Sequence, residues 1–355
     1  MSGAKATLIW SQGTPGAALE PPIVSVIVVS YRVRELLQLC LKSIFEELGG
    51  LESMGLGQGE VLVVDNASHD GSCEMVEREF PAVRLCRSDV NLGFGVANNV
   101  ALAEARGRNL LLLNSDAFLS AGVLGKVLTR MAEAPEVGIG GVQLVGRDGL
   151  RQPTARRFHS VWRDAMVLTG LAERFPQSAE WGKWFGGLDR RWQQVTEATD
   201  VDWIPGAFLV LSRALVDRVG VFDPRYFLYL EEVDLCLRAH RAGFRVRYWP
   251  DLEVVHIGGE SARAVNEPAA HAASSQVVLW RMRATLLYYR KWHGFGAWAT
   301  AGIELTLYSL RWLRNRWSFD VGRRPRAVEG HALARLMRMA WRDTDGGRIS
   351  PTHPW

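Results

Sequence analysis

Short apolar runs alternate with amphipathic segments along the first part of the chain. Residues 23–29 form a continuous, β-branched run, which is typical of a central parallel strand. Residues 34–48 follow with apolar side chains at helical spacing on one face. Further strand-like runs lie at 60–64, 83–86 and 109–113, and helix-like segments lie at 72–80, 93–104 and 121–134. Such alternation predicts an α/β fold with a mainly parallel central sheet flanked by helices.

The pattern changes after residue 150. Residues 151–199 are rich in Arg, Trp and Gln, which predicts an irregular, partly helical insertion. Regular elements return as a strand at 207–211, a helix at 231–242 and short strands at 244–249 and 252–256. We therefore predict a disordered leader at 1–22, one α/β domain at 23–265 that contains the insertion, and a helical extension at 276–345.

Composition and charge distinguish the C-terminal part from the rest. The chain has 355 residues, 48% of them hydrophobic and 23% charged, which is ordinary for a globular protein with a substantial core. Residues 276–355 hold 14 Lys and Arg against five Asp and Glu, a balance of +9, whereas the remainder has a balance of −5. Six of the 14 tryptophans lie between residues 276 and 341. A basic, Trp-rich segment indicates an anionic partner such as a membrane surface. The alternative is a set of helices docked on their own domain.

Cysteine usage and hydropathy bear on localisation. The four cysteines show no metal-binding spacing, which is typical of reduced thiols in a cytosolic protein. Residues 1–22 lack the apolar segment of a signal peptide, and no stretch reaches the ~20 apolar residues of a spanning helix. We expect a cytoplasmic protein, for which contact with the inner face of the membrane is one of the two alternatives for the C-terminal helices.

Polar side chains stand at the ends of the strand-like runs. Asp65, Asp116 and His256 each follow such a run, and Glu231 and Glu232 open a predicted helix. The carboxyl ends of parallel strands meet at one edge of a sheet, where open α/β sheets bind ligands. The sequence therefore predicts a cleft suited to a metal-held diphosphate beside a carboxylate base.

Two of these features indicate nucleotide binding, and each has a structural alternative. Asp65 can bind a ribose or a base, or it can cap a turn or helix. The glycines of 91–99 would let the backbone approach a phosphate at a helix N-terminus, or the segment can simply cap that helix. Neither a Walker A loop nor a GxGxxG motif after the first strand is present.

Asp116 and His256 are the candidate metal ligands. A carboxylate at a strand end can bring Mg²⁺ or Mn²⁺ to a diphosphate, and imidazole suits Mn²⁺ better than Mg²⁺. Taken alone, a histidine at this position is more often a buried or capping residue than a metal ligand.

Three carboxylates crowd the predicted helix that begins at Glu231. Complementation of the helix dipole, with an i,i+4 pair between Asp234 and Arg238, explains Asp234. It explains the two adjacent glutamates less well, because they point in different directions. One of them can face the cleft as a general base.

Taken together, these residues resemble the family 2 glycosyltransferases of the GT-A (nucleotide-diphospho-sugar transferase) fold, most closely the rhamnosyltransferase-like bacterial branch. The resemblance spans residues 24–261 and rests on motifs in a fixed order. These are SVIVVSY at 25–31, VDNAS at 64–68, NLGF at 91–94, LNSD at 113–116, PGA at 205–207, GVFD at 220–223, EEVD at 231–234 and VH at 255–256.

The resemblance implies a role for each matching residue. The base would be Glu232, with Glu231 as the alternative, and the metal ligands would be Asp116 and His256. The residues implied to lie around the donor are Ser30, Tyr31, Asp65, Asn91, Gly93, Asn98, Asn114 and Ser115. The acceptor side would be formed by the insertion together with Trp203, Gly206, Ala207 and Asp234.

This sequence departs from the family pattern at several positions. The DxD motif is reduced to Asn114-Ser115-Asp116, Arg32 stands where an Asn is usual, and Glu232 replaces the usual Asp.

The implied activity is an inverting, metal-dependent transfer from a nucleotide-diphosphate sugar to a hydroxyl group. The resemblance favours L-rhamnose from dTDP-rhamnose as the donor, and a cell-surface glycan or lipid-linked glycan as the acceptor. The implied cofactor is Mg²⁺ or Mn²⁺.

Two other functions remain open. The reduced DxD motif is consistent with a degenerate transferase that serves as a scaffold in polysaccharide assembly, although the glutamate pair and His256 argue against it. A sugar nucleotidyltransferase would share the architecture but usually has a Gly-rich loop after the first strand, where this chain has Ser30-Tyr31-Arg32. A nucleic-acid partner is not indicated, because the basic residues are spread over eighty positions without a recognised binding fold.

Overall fold

The computed structural model describes residues 6–11, 21–170, 195–258, 276–316 and 324–351. The chain divides into two compact units. The first takes in Met1–Phe158, Trp192–Asp223 and Glu231–Ala264, and the second takes in His159–Arg191, Pro224–Leu230 and Val265–Trp355.

The first unit is built on a single sheet, which has ten strands among the residues described. They are β1 (Leu8–Trp10), β2 (Val24–Ser30), β3 (Gly59–Asn66), β4 (Arg84–Ser88), β5 (Asn109–Asn114), β6 (Ala117–Leu119), β7 (Val137–Val145), β8 (Thr199–Asp200), β9 (Phe208–Ser212) and β10 (Arg245–His256). The strand order is β1-β4-β3-β2-β5-β9-β7-β10-β6, and β8 pairs with β10. The long ladders β4-β3-β2-β5 and β7-β10 are parallel, whereas β1, β6, β8 and β9 pair antiparallel. The predicted mainly parallel α/β sheet is confirmed.

The described residues also form ten helices. In chain order they are α1 (Arg34–Ser53), α2 (Ser72–Glu79), α3 (Phe94–Glu104), α4 (Val123–Glu133), α5 (Val161–Leu168), α6 (Arg213–Val219), α7 (Glu231–Arg241), α8 (Gln276–His293), α9 (Gly296–Arg316) and α10 (Arg324–Asp343). Of these, α5, α8, α9 and α10 belong to the second unit.

The core of the first unit explains why β2 is apolar throughout. Val24, Val26 and Val28 on one face pack in a cluster with the apolar stripe of α1, including Leu37 and Leu41. The opposite face is covered by α3, which packs on β2 and β3. A strand covered on both faces has no solvent side, so its sequence shows no alternation. Each fully buried side chain of this size contributes about 1.5–3 kcal/mol.

The second unit is helical in its described parts. Helices α8, α9 and α10 pack on one another, and α5 packs on α9. At Gly330 of α10 an added Cβ would lie 2.9 Å from the backbone oxygen of Tyr308 and 3.0 Å from the backbone nitrogen of Trp312. Only glycine therefore allows α10 to approach α9 this closely. The predicted helical extension corresponds to these three C-terminal helices.

The predicted disordered leader needs a correction. Leu8–Trp10 form β1, which pairs antiparallel with β4 from Leu8 opposite Ser88 to Trp10 opposite Cys86. β1 was not predicted because it has only three residues, two of them exposed, and so shows no alternation of apolar and polar side chains. Its pairing with the edge of β4 makes it a strand. The rest of 1–22 lies largely outside the described residues, as do residues 171–194 of the predicted insertion.

No helix in the described part of the chain is both long and apolar enough to cross a membrane.

Candidate active site

The carboxyl ends of β2 and β3 place two predicted donor residues side by side. Ser30 and Asp65 are opposite each other in the parallel ladder, and both are buried. Within the described structure, Ser30 Oγ and Asp65 Oδ2 are buried atoms without a hydrogen-bond partner. Because unpaired buried polar atoms are rare and costly, this pair indicates a place where a polar ligand binds.

Asp65 also has the structural role that the sequence left open. Its Oδ1 accepts a hydrogen bond from the backbone N–H of Ser68 at 3.1 Å, so one carboxylate oxygen closes the turn after β3. The turn is strained, since Ala67 and His69 have φ of 64° and 52°. Ser68 donates from Oγ to the Ser30 carbonyl and accepts from the Arg32 backbone N–H, which ties this turn to the one after β2. Tyr31, between these turns, is partly exposed.

The loop before α3 is held by asparagine side chains. Asn91 Oδ1 accepts from the Gly93 backbone N–H and from Asn66 Nδ2, each at 2.9 Å. Asn66 Oδ1 accepts from the Leu92 backbone N–H at 2.7 Å. Gly93 has φ of 78°, a conformation that favours glycine. Asn66 was missed as a site residue, although it lies in the VDNAS motif.

Asn98 does not fit its predicted donor role. It is fully buried on α3, and its Nδ2 donates to the Phe94 carbonyl at 2.9 Å. This side chain therefore stabilises the start of α3, in agreement with the capping alternative for this segment.

The predicted metal ligands Asp116 and His256 are brought together by strand pairing. Asp116 precedes β6, and β6 pairs antiparallel with the end of β10, so that Ala117 lies opposite His256. His256 Nε2 is 3.5 Å from Asp116 Oδ1 and 3.5 Å from Asn114 Nδ2. Ser115 is buried between the other two residues of this motif.

Gln152 is a contact of His256 that the sequence did not indicate. Its Nε2 donates to the His256 carbonyl at 2.7 Å, and its Oε1 lies 2.8 Å from His256 Nδ1. A single glutamine in an irregular stretch carries no signal, because its partner is 104 residues away in the sequence.

The donor set at this edge fits a hard divalent cation that also binds a substrate. In the described part of the chain, no three His, Cys, Asp or Glu side chains are grouped so that they could hold a metal ion. Asp116 and His256 together offer one oxygen and one nitrogen. Mg²⁺ and similar cations are commonly held by one or two protein groups plus substrate phosphates. The arrangement therefore suits a cation that arrives with a diphosphate.

The two glutamates differ in burial at the start of α7. Glu231 is fully buried, and an added Cβ on Gly95 of α3 would lie 3.6 Å from its Cβ, so Glu231 packs against α3. Glu232 is partly exposed. The preceding residues Tyr229 and Leu230 have φ of 74° and 67°, two consecutive left-handed residues that are not glycine. Such strain is typical of functional sites.

Asp234 is not an acceptor residue in this structure. It is fully buried, and its Oδ2 accepts from Arg238 Nε at 2.9 Å. Arg238 also donates to the carbonyls of Val219 and Val221 at 3.0 and 2.7 Å. The pair therefore secures the loop before α7, as the i,i+4 alternative predicted.

Trp203 and its neighbours form packed structure rather than an open platform. Trp203 is buried, its Nε1 donates to the Arg157 carbonyl at 2.8 Å, and the Arg156 guanidinium stacks on its ring. Gly206 lies against the Phe94 ring, and the Ala207 carbonyl accepts from the Asn114 backbone N–H at 3.0 Å. An enclosed indole cannot stack on a sugar acceptor, so the predicted acceptor role of Trp203 is not supported.

Solved structures define the class of fold. The chain is similar to the mannosyltransferase PcManGT from Pyrobaculum calidifontis in complex with GDP-Man and Mn²⁺, with a TM-score of 0.50 and 18% identity, over 91% of this chain and 88% of that one. It is also similar to GalNAc-T7 with UDP, GalNAc and Mn²⁺, with a TM-score of 0.50 and 13% identity, over 92% of this chain and 57% of that one. At these identities the likeness concerns the fold, which is GT-A.

Sequence relatives define the family. Residues 25–194 match the model of glycosyl transferase family 2. The chain is 31% identical over 227 residues to the N-acetylglucosaminyl-diphospho-decaprenol L-rhamnosyltransferase of Mycobacterium tuberculosis, over 60% of this chain and 71% of that protein. It is 31% identical over 96 residues to the rhamnosyltransferase WbbL of Escherichia coli, over 27% of this chain and 33% of that protein. This chain belongs to glycosyl transferase family 2.

Proposed function

We propose that this protein is an inverting glycosyltransferase that moves a sugar from a nucleotide-diphosphate donor to an acceptor hydroxyl. The observation that supports this most directly is the Asp116–His256 pair, 3.5 Å apart at the carboxyl edge of the sheet. The same edge carries the unpaired polar atoms of Ser30 and Asp65. A family of sugar transferases with this fold supplies the reaction class.

The nucleotide is held at the ends of β2 and β3. Ser30 Oγ and Asp65 Oδ2 bind its polar groups, and Tyr31 lies beside them. The backbone around Gly93, at the start of α3, faces the diphosphate, where a helix N-terminus favours negative charge. By analogy with the L-rhamnosyltransferase from Mycobacterium tuberculosis, the transferred sugar is L-rhamnose. The donor that the family resemblance favours is dTDP-rhamnose.

Asp116 and His256 would hold the divalent cation, Mg²⁺ or Mn²⁺, which would supply positive charge to stabilise the departing nucleotide diphosphate. Asn114 and Ser115 keep the Asp116 carboxylate at the strand end.

Glu232 is the general base. The acceptor oxygen forms a bond to the anomeric carbon as the bond between that carbon and the phosphate oxygen breaks. The acceptor proton passes to the Glu232 carboxylate, and the electron pair leaves with the nucleotide diphosphate. Attack from the face opposite the nucleotide inverts the anomeric configuration. Glu232 is partly exposed, although its Oε2 atom is buried, whereas Glu231 is buried as a whole, and this difference supports the assignment.

The acceptor is a glycan on a lipid carrier, and the second unit contacts an anionic membrane surface. The relative from Mycobacterium tuberculosis is named for a diphospho-decaprenol acceptor. In the second unit, a cavity of about 600 Å³ is lined by Leu307, Leu310, Arg311, Arg314, Asn315 and Arg326. Arginines beside leucines suit a phosphate group attached to an apolar chain.

Calorimetric titration with UDP, dTDP and GDP, each with and without Mn²⁺, tests the donor and the cation together. We expect one nucleotide to bind, and to bind more tightly with Mn²⁺. An Asp116→Asn variant should lose the Mn²⁺ dependence and keep weak nucleotide binding. If the folded protein binds none of the three nucleotides, the transferase proposal fails and the scaffold alternative gains support.

Replacing Glu232 by Gln tests the base. Because general-base catalysis typically contributes about 10²–10⁴-fold, turnover should fall by that factor while donor affinity stays near the wild-type value. The measurement is steady-state turnover beside donor titration. Glu231→Gln is the matched variant, and a larger loss of turnover there would assign the base to Glu231 instead.

A further inference from the structure

The side chain of Gln152 contacts His256 at two places. It donates from Nε2 to the His256 backbone carbonyl at 2.7 Å, and its Oε1 is 2.8 Å from the ring atom Nδ1. A carbonyl oxygen only accepts hydrogen bonds, so the amide NH₂ must face it. The amide oxygen then faces the ring. Since that oxygen also only accepts, a hydrogen bond at 2.8 Å requires a proton on Nδ1.

The other ring nitrogen faces the site. His256 Nε2 lies 3.5 Å from Asp116 Oδ1. A neutral imidazole with its proton on Nδ1 has its lone pair on Nε2, the form in which histidine binds metals. With the proton on Nε2 instead, the Nδ1 lone pair would meet the Gln152 oxygen at 2.8 Å, which is repulsive.

We propose that Gln152 is a positioning residue that holds His256 in the tautomer with its proton on Nδ1, so that the Nε2 lone pair faces Asp116. This role rests on the proposed function, in which Asp116 and His256 hold the cation. Ligand histidines commonly donate their second N–H to such a partner, and removing that partner typically lowers metal affinity about 10–100-fold.

The backbone of Gln152 is fixed by contacts to β7. Its N–H donates to the Leu144 carbonyl at 2.8 Å, and its carbonyl accepts from Gln143 Nε2 at 2.9 Å. Pro153 follows, and a residue before proline is restricted towards extended backbone. Gln152 therefore reaches His256 from a preorganised position.

A buried tyrosine sets the orientation of Gln143 in turn. Tyr248 donates from its hydroxyl to Gln143 Oε1 at 2.6 Å. Burial raises the pKa of Tyr248 to about 12, so the hydroxyl keeps its proton at neutral pH. The Gln143 amide nitrogen is thereby left to face the Gln152 carbonyl. Tyr248 donates to Gln143, Gln143 to the Gln152 carbonyl and Gln152 to the His256 carbonyl, whereas the His256 ring donates back to Gln152 Oε1.

Long-range ¹H–¹⁵N NMR of the histidine rings, recorded on the full-length protein without metal, tests the tautomer directly. The signal is assigned by its loss in His256→Asn. We expect Nδ1 of His256 to be the protonated, pyrrole-type nitrogen and Nε2 to be pyridine-type. A wild-type ring whose Nδ1 carries no proton, or whose Nε2 carries one, would overturn the proposal without any variant of Gln152.

Two replacements of Gln152 separate positioning from a merely structural role. Gln152→Leu removes the acceptor, so the ring should shift towards the Nε2–H tautomer, and Mn²⁺ affinity in the presence of nucleotide should fall about 10–100-fold by electron paramagnetic resonance. Gln152→Glu keeps an acceptor for Nδ1–H, although it loses the donor to the His256 carbonyl, and it should keep the Nδ1–H tautomer. Circular dichroism establishes that each variant is folded. The same tautomer in both variants as in the wild type would contradict the proposal.

The outcomes distinguish this inference from the proposed function. If wild-type protein binds no Mn²⁺ with any nucleotide, the cation role of Asp116 and His256 fails. The tautomer measured without metal still decides whether Gln152 orients the ring.

Discussion

At the residue scale, Glu60 is a buried carboxylate at the edge of the sheet opposite the site, and hydrogen bonds stabilise its charge. The Glu60 side chain is only 8% exposed. Its Oε1 accepts from Ser25 Oγ and from the Arg106 backbone N–H, each at 2.7 Å, and its Oε2 accepts from the Arg106 guanidinium at 2.8 Å. Burial raises the pKa of this carboxyl, but the hydrogen bonds outweigh burial and leave the pKa below its ordinary value of 4.5.

Replacing Glu60 by Gln should therefore destabilise the protein in a pH-dependent way. A carboxyl with a lowered pKa stabilises the fold above its unfolded pKa, and loses that contribution as the pH falls through the folded pKa. We expect a loss of about 1.5–3 kcal/mol near pH 7, because hydrogen bonds to charged groups are involved. The difference in free energy of unfolding between wild type and Glu60→Gln should become smaller as the pH falls below about 4.5. Urea unfolding at several pH values measures it.

Glu52→Gln is the control for Glu60, because Glu52 is an exposed residue of α1. It should show little loss at any pH. If Glu60→Gln lowers the free energy of unfolding by the same amount at every pH, the ionised Glu60 carboxylate is not what stabilises this region.

The candidate site shows how far single residues can be predicted. Asp65, Asp116 and His256 were predictable because each ends an apolar run, and strand ends converge at one edge of a sheet. Gln152 and Asn66 were not singled out, since a glutamine or an asparagine is chemically ordinary until its partner is known. Asn98 and Asp234 were assigned to the site, but burial shows that their side chains support helices.

At the element scale, a carboxylate from one helix caps another. Glu47 of α1 is 9% exposed, and its two oxygens accept from the backbone N–H groups of Gly122 and Leu124 at 2.6 and 2.9 Å. These groups lie at the N-terminus of α4, where they have no partner within the helix and where negative charge is favourable. Glu47 thereby fixes α4 to α1.

Glu47→Ala should lower the free energy of unfolding by about 1–3 kcal/mol, because it leaves N–H groups of α4 without their carboxylate. The neighbouring Glu46 is exposed and provides a matched control, for which Glu46→Ala should change stability by less than about 0.5 kcal/mol. Urea unfolding measures both variants. If Glu47→Ala and Glu46→Ala lower the free energy of unfolding equally, the hydrogen bonds from Glu47 to α4 contribute nothing specific.

Most elements were predicted because their patterns are long or strongly periodic. β2 and β5 were predicted from continuous apolar runs, because a strand buried on both faces is apolar throughout. α1 was predicted from an apolar stripe at helical spacing, because only one face of the helix is buried. β1 has three residues and gives no such pattern. Its formation depends on the edge of β4, which is far away in the sequence.

At the scale of the whole molecule, the net positive charge lies in the C-terminal helices, since residues 276–355 have a balance of +9 and the remainder has a balance of −5. Helix α9 carries exposed apolar side chains at Trp298, Leu310 and Leu313. Phe295, the residue just before α9, is exposed as well. Among the described residues, Arg314 and Arg326 beside the cavity of this unit make no hydrogen bond or ion pair. Exposed arginines next to exposed apolar side chains suit an anionic membrane surface.

Sedimentation with phosphatidylglycerol-containing vesicles checks this surface. The double variant Arg314→Gln/Arg326→Gln removes two charges worth about 1 kcal/mol each near an anionic membrane. Vesicle binding should therefore weaken roughly 30-fold. Binding of the wild type should also weaken as salt is raised.

The control for the vesicle experiment makes the same change of net charge elsewhere on α10. Arg335 and Arg338 are exposed and do not line the cavity. Arg335→Gln/Arg338→Gln should reduce vesicle binding much less. Equal losses in both double variants would mean that only total charge matters, and wild-type protein that ignores the vesicles would refute the membrane contact.

By itself, the sequence determined the class of fold, the family and the edge of the sheet that carries the candidate site. These follow from apolar periodicity and from polar residues at strand ends, which are local and survive without coordinates. Only the tertiary structure decided which polar side chains face the site and which are buried and stabilise neighbouring helices. That distinction depends on partners about 100 residues apart, such as Gln152 with His256, and contacts over such distances leave no pattern in a single sequence.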